Sequence, residues 1–95
     1  MTYQIEFPDF APATLPAIPV EWTDQSWHND SCPCFNTGKG VVVFIDFEDV
    51  KLREIDEAGD RFSVHADPEI HDHNDVLMST DDWNEVLAFV AKQGA

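Results

Sequence analysis

The segment Val41-Val42-Val43-Phe44-Ile45-Asp46-Phe47 decides the fold of this chain. Its β-branched and aromatic residues are typical of a β-strand. Every second residue from Val41 to Phe47 is apolar and shares one face, while Val42 and Phe44 begin the other face. A strand with two apolar faces is covered on both sides. We therefore predict that this segment is a central strand of a sheet, at least over its first half.

Turn-forming residues on either side of this strand predict its neighbours. Residues 36–40, with two glycines, indicate a reversal from an earlier strand near residues 22–27 or near Cys34-Phe35. Residues 56–60 indicate a second reversal, between a short strand at 52–55 and a strand at 61–66 with the alternation of a half-buried strand. Residues 67–75 read as an acidic loop, and residues 76–78 as a further brief strand.

The C-terminal segment has the periodicity of a helix over residues 80–92. Trp83, Val86, Leu87 and Val90 recur at helical spacing and form an apolar stripe. We expect Ser79 or Thr80 to cap its first turn, because hydroxyl side chains accept hydrogen bonds from free helix amides. Strands followed by one helix favour an α+β fold: a small antiparallel sheet of about four strands with the C-terminal helix packed on it.

Prolines at positions 8, 12, 16 and 19 set the N-terminal region apart. Proline removes a backbone donor and favours extended geometry in the residue before it. We predict an extended proline-rich arm at residues 1–20 and a single α+β domain at residues 21–95. The favoured interpretation packs the arm across its own domain. The alternative places its apolar residues on a second subunit, which would make a homo-oligomer.

The charge of the chain excludes some partners. Nineteen Asp and Glu stand against five Lys and Arg in 95 residues, a formal net charge of -14. Nucleic-acid backbones and anionic membrane surfaces would repel such a protein, so direct binding to either is not expected. No apolar run of about 18 residues is present, and no secretion signal is recognised. With only two cysteines, a reducing cytoplasm is the expected location.

The cysteines and histidines offer a metal-binding alternative. Thiolate and imidazole groups are zinc ligands, and Cys32 with Cys34, together with His71 and His73, form two close pairs. Neither pair has the spacing of a zinc finger or ribbon. We therefore expect no cofactor and no tightly bound metal, and keep a small metal-binding domain as the alternative function.

Catalysis is not indicated by any local sequence signature. Cysteine catalysis needs a stabilised thiolate beside a base, and the negative charge around Cys32 and Cys34 disfavours a thiolate. Residues 67–75 are rich in oxygen ligands but lack the glycine and terminal Glu of a calcium-binding EF-hand loop. We therefore do not expect an enzyme.

The distribution of the acids gives the leading hypothesis. Fourteen of the nineteen lie between Asp46 and Glu85, mostly in predicted turns, where they should be exposed. We predict that a basic protein surface binds these acidic turns electrostatically. The candidate contact residues are Glu48, Asp49, Asp56, Glu57, Asp60, Asp67, Glu69, Asp72 and Asp75. In size and charge the chain is similar to small acidic phage-encoded inhibitors that imitate nucleic acid, but no motif supports that similarity. The alternative is that the charge only keeps the domain in solution.

Overall fold

The computed structural model describes residues 3–30, 32–49, 51, 60–71 and 75–93. Its five strands form one antiparallel sheet in the order of the chain. The strands are β1 (Thr23–Asp24), β2 (Cys34–Asn36), β3 (Val41–Ile45), β4 (Phe62–Ala66) and β5 (Val76–Thr80). The helices are α1 (Tyr3–Glu6), a 3-10 turn at Pro12–Thr14, α2 (Pro68–His71) and α3 (Trp83–Ala91).

The α+β class predicted from the sequence is confirmed. The described sheet has five strands rather than about four, because both of the segments considered for an earlier strand pair side by side as β1 and β2. The strand predicted at residues 52–55 lies outside the described residues. Within the described residues, no helix combines the length and apolar composition that crossing a membrane requires.

β3 is the central strand, as its sequence predicted. Val43 pairs with Phe35 of β2 on one side and with Val64 of β4 on the other. Val43, Ile45 and Val64 are fully buried, and Val42, on the opposite face of β3, is buried as well. Because all these side chains are shielded, their apolar surface contributes to stability at about 25 cal/mol per Å² buried.

Helix α3 covers the buried face, with a different start from the predicted one. Ser79 and Thr80 do not cap it, because Thr80 is still paired with Phe62 at the end of β5. The cap is Asp82, whose Oδ1 accepts a hydrogen bond from the Asn84 amide at 2.9 Å. Val86 and Val90 are buried, and the remaining apolar residues of the stripe pack against the same core.

Two further segments are more regular than predicted. The N-terminal arm is not extended throughout: it contains α1 and the 3-10 turn, and Pro12 starts that turn because its fixed backbone angle suits a first helical position. The predicted loop at residues 67–75 contains α2, whose Glu69 amide donates to Asp67 Oδ1 at 3.0 Å. Asp67 thus serves α2 as a side-chain cap.

The arm packs against the sheet and the helix of its own chain. Phe7 and Phe10 belong to the same buried cluster as Val43. Polar contacts hold the arm as well: Arg61 Nη2 donates to the Thr14 carbonyl at 2.8 Å, and Trp83 Nε1 donates to the Ala17 carbonyl at 3.2 Å. Phe7 and Phe10 are therefore core residues, and Leu15 and Ile18 pack partly buried against them, as the favoured interpretation predicted. Ile5 and Val20 of the arm are exposed.

Trp83→Ala is expected to lower the free energy of unfolding by about 3 kcal/mol, the lower end of the range for large aromatic deletions. Trp83 contacts Trp22 and Phe62 edge-on, with ring centroids 5.8 and 5.0 Å apart. Trp27→Ala is the matched control, because Trp27 is 42 % exposed. Urea denaturation measures both. Equal losses for the two variants would contradict the packing role of Trp83.

Added salt is expected to raise the melting temperature. The net charge of -14 makes the folded chain repel itself, and the screening length falls from about 30 Å at 0.01 M to about 3 Å at 1 M salt. Calorimetry in sodium chloride across that range measures the effect. A melting temperature that falls with salt would show that local attractive pairs outweigh the general repulsion.

Candidate acidic interface and the cysteine pair

The sheet register gathers acidic side chains at one end. Ile45 pairs with Phe62, and Phe62 pairs with Thr80. Residues that follow β3, precede β4 or follow β5 consequently lie side by side. We call this group the acidic end; its members are Asp46, Glu48, Asp49, Asp60, Asp81 and Asp82. All except the half-buried Asp46 are exposed.

Hydrogen bonds orient several of these carboxylates. Asp81 Oδ1 accepts from the Arg61 amide at 2.7 Å, and Asp60 Oδ2 accepts from Ser79 Oγ at 3.1 Å. Asp49 Oδ1 accepts from the Lys51 amide at 2.9 Å. Asp46 Oδ1 accepts from the Phe47 amide at 2.8 Å, and with the cap at Asp82 five of the six carboxylates are held by hydrogen bonds. The acidic end is therefore an array of negative groups with preferred directions.

Arg61 lies beside these carboxylates and holds the backbone segments around them through hydrogen bonds. Its Nε donates to the Asp46 carbonyl at 2.9 Å, and its Nη2 reaches the arm at Thr14. Its guanidinium carbon also lies 5.1 Å from the centre of the Phe62 ring. Arg61 is directed by these contacts along the protein body, where it joins β3, β4 and the arm.

The opposite end of the sheet carries the remaining described candidates, and one of them is not exposed. Asp67 was expected at the surface but is 3 % exposed. It accepts a hydrogen bond from Asn36 Nδ2 at 3.0 Å, besides capping α2. Burial makes Asp67 a structural residue that joins β2 to α2 and removes it from the candidate surface. Glu69 and Asp75 are exposed as expected.

Sequence reasoning found part of the acidic end and missed part. Glu48, Asp49 and Asp60 were among the predicted contact residues, whereas Asp46, Asp81 and Asp82 were not. The pairing of β4 with β5 brings the acids that follow β5 next to the acids beside β3 and β4. The alternating pattern of a strand does not by itself specify this register. The predicted contact residues Asp56, Glu57 and Asp72 lie outside the described residues.

The side chains of Cys32 and Cys34 are both buried. The Cys34 amide donates to Ser26 Oγ at 3.1 Å, which fixes the segment that enters β2. Burial, together with the smaller effect of the negative charges of Asp30, Asp24 and Asp67, raises the pKa of the Cys34 thiol to about 12. At neutral pH this thiol is protonated, and it is poorly suited to attack an electrophile or to bind a metal.

His71 and His73 were considered as metal ligands together with the two cysteines, but such a ligand set is not found among the described residues. His71 ends helix α2, and His73 lies outside the described residues. Within the part of the chain that the structure describes, no three His, Cys, Asp or Glu side chains come together in a group able to hold a metal ion.

Comparison with known proteins does not assign this chain to a family or a function. Neither a scan against models of protein families nor searches of curated proteins and of solved structures find a significant match to this chain.

The stability of the wild-type protein relative to Cys34→Ala is expected to fall as the pH rises from about 9 to about 12. The folded thiol has the raised pKa. Its contribution is therefore fully present below the ordinary pKa near 9, and is lost as the unfolded thiol ionises first. Urea unfolding of both proteins at several pH values gives the difference, in which the other titrating groups cancel. A difference independent of pH would contradict the burial of Cys34.

Proposed function

We propose that this protein is a non-enzymatic interaction protein that binds a basic protein surface through the acidic end. The observation that carries the proposal is the register of β3, β4 and β5, which brings six carboxylates together at one end of the sheet. In a chain with a net charge of -14, this array is the part of the described surface best suited to a cationic partner.

The physical basis is electrostatic complementarity. Opposite surface charges accelerate the encounter of two proteins and select against partners of the wrong sign. At physiological ionic strength charges are screened over about 8 Å, so carboxylates on adjacent strands still act together. The hydrogen bonds that orient Asp60, Asp81 and Asp82 reduce the freedom that these side chains lose on binding.

A basic groove that ordinarily holds a nucleic-acid backbone is the partner type that fits best. Such a groove presents Lys and Arg side chains to a row of negative groups, and the acidic end supplies a row of negative groups on a folded support. The protein would then act as a nucleic-acid mimic, of the kind seen in phage-type inhibitors. Its two buried cysteines suit a reducing compartment such as the cytoplasm.

The proposal is tested by charge reversal. Glu48→Lys combined with Asp49→Lys changes the acidic end, while Asp9→Lys combined with Glu21→Lys makes the same change in net charge at exposed positions outside the six residues of the acidic end. A basic protein captured by the wild-type chain is purified, and its association rate is measured by surface plasmon resonance at several salt concentrations. We expect the first variant to slow association about tenfold at low salt, and the second to slow it much less.

Two results would overturn the proposal. One is binding to the purified partner at a rate that does not change with salt. The other is direct binding of this chain to DNA or RNA at physiological salt. Equal slowing by both variants would overturn the assignment of the contact to the acidic end, because the general negative charge would then govern the encounter.

A further inference from the structure

Strand β5 forms an edge of the described sheet. It pairs with β4 on one side, and no described strand pairs with its other side. Three of its five side chains are open to solvent: Val76 is 60 % and Leu77 is 44 % exposed, and Ser79 is exposed as well. Two adjacent, exposed apolar residues on an edge strand offer contact area to an additional strand.

The ladder shows which backbone groups of β5 face outward. The Asp46 amide donates to the Arg61 carbonyl, and the Ala66 amide donates to the Asp75 carbonyl. The amide and carbonyl groups of successive residues along β4 face β3 and β5 in turn, so those of Ser63 face β3. Ser63 and its partner Ser79 on β5 therefore form a pair without hydrogen bonds between them. The amide and carbonyl of Ser79 are therefore directed away from β4, toward the open edge.

The described charged residues beside the outer edge of β5 are negative. Lysine is a common guard against strand addition at exposed edges, yet no Lys or Arg stands between Arg61 and Lys92 in the sequence. Asp75 precedes β5, Asp60 contacts Ser79, and Asp81 follows the strand. The edge thus repels acidic segments and attracts cationic ones.

We propose that an extended basic segment of the partner adds to the outer edge of β5 as a further antiparallel or parallel strand. This inference rests on the proposed function and specifies how the partner binds. Backbone pairing would begin at Ser79, while apolar side chains of the added strand contact Leu77. The pairing of β4 with β5 shifts register between Val64 and His65, so β5 is regularly paired only over Met78–Thr80. A second copy of this chain is a poor occupant, because each copy carries a charge of -14.

The probe is a fluorescein-labelled peptide of eight residues in which Lys and Val alternate. Fluorescence anisotropy gives its affinity for the full chain, and amide hydrogen exchange by NMR locates it. We expect binding that weakens as salt rises, together with slower exchange of the Ser79 amide. The same peptide N-methylated at every residue keeps its charges but has no backbone donors, and we expect it to bind at least tenfold more weakly.

The protein variants are Ser79→Pro and its matched control Ser79→Ala. Both remove the hydroxyl that contacts Asp60, but only proline removes the outward amide. We expect Ser79→Pro to weaken the peptide at least tenfold and Ser79→Ala to change its affinity less than threefold. If circular dichroism shows that Ser79→Pro does not fold, the comparison of the two peptides on the wild-type protein decides the question.

The outcomes separate this inference from the proposed function. Equal binding of both peptides, or no binding of either, overturns strand addition. If the partner association stays salt-dependent and sensitive to Glu48 and Asp49, the proposed function is retained. Salt-independent association overturns the proposed function itself. A dimer of the peptide-free protein that Ser79→Pro abolishes would show that a second copy occupies the edge, and would also overturn the inference.

Discussion

The burial of β3 is the constraint on which the rest of the structure depends. Its two edges are paired with β2 and β4, and its side chains are shielded on one face by α3 and the arm, whose residues share its core cluster. A chain of this size buries a limited fraction of its surface, so Phe7 and Phe10 of the arm are needed to complete that core. A charged side chain along such a buried strand would lose its hydration at a large cost in free energy.

This constraint explains where the acids are found. Strands that fill the core with Val, Ile and Phe leave their ends and turns for carboxylates, which remain hydrated there. Antiparallel pairing then brings the turns of neighbouring strands together, and Arg61 fastens this end of the sheet to the arm. The concentration of charge at one end is thus a consequence of topology acting on a strongly acidic sequence. The same topology leaves β5 at the edge, between two groups of acids.

The sequence allowed the fold class to be predicted because its two periodicities are clear. The alternation of Phe62, Val64 and Ala66 identified β4, and the spacing of Trp83, Val86 and Val90 identified α3. The start of α3 was wrong by a few residues because strand pairing holds Thr80, a tertiary effect that local capping preferences do not contain. The burial of Asp67 was missed for a similar reason: its partner Asn36 is 31 residues away. The acidic end required the register of three strands, which no local pattern supplies.

Zero-length carbodiimide cross-linking to the purified partner tests the central claim most directly, because it joins a carboxylate to a lysine amine only where the two are in contact. Mass spectrometry then identifies the acids involved. We expect cross-links from Glu48, Asp49, Asp60 and Asp81 to lysines of the partner, with few from the exposed Asp9 and Glu21. Cross-links confined to Asp9 and Glu21, with the acidic end unmodified, would contradict this expectation and move the interface to the arm and the residue that follows it.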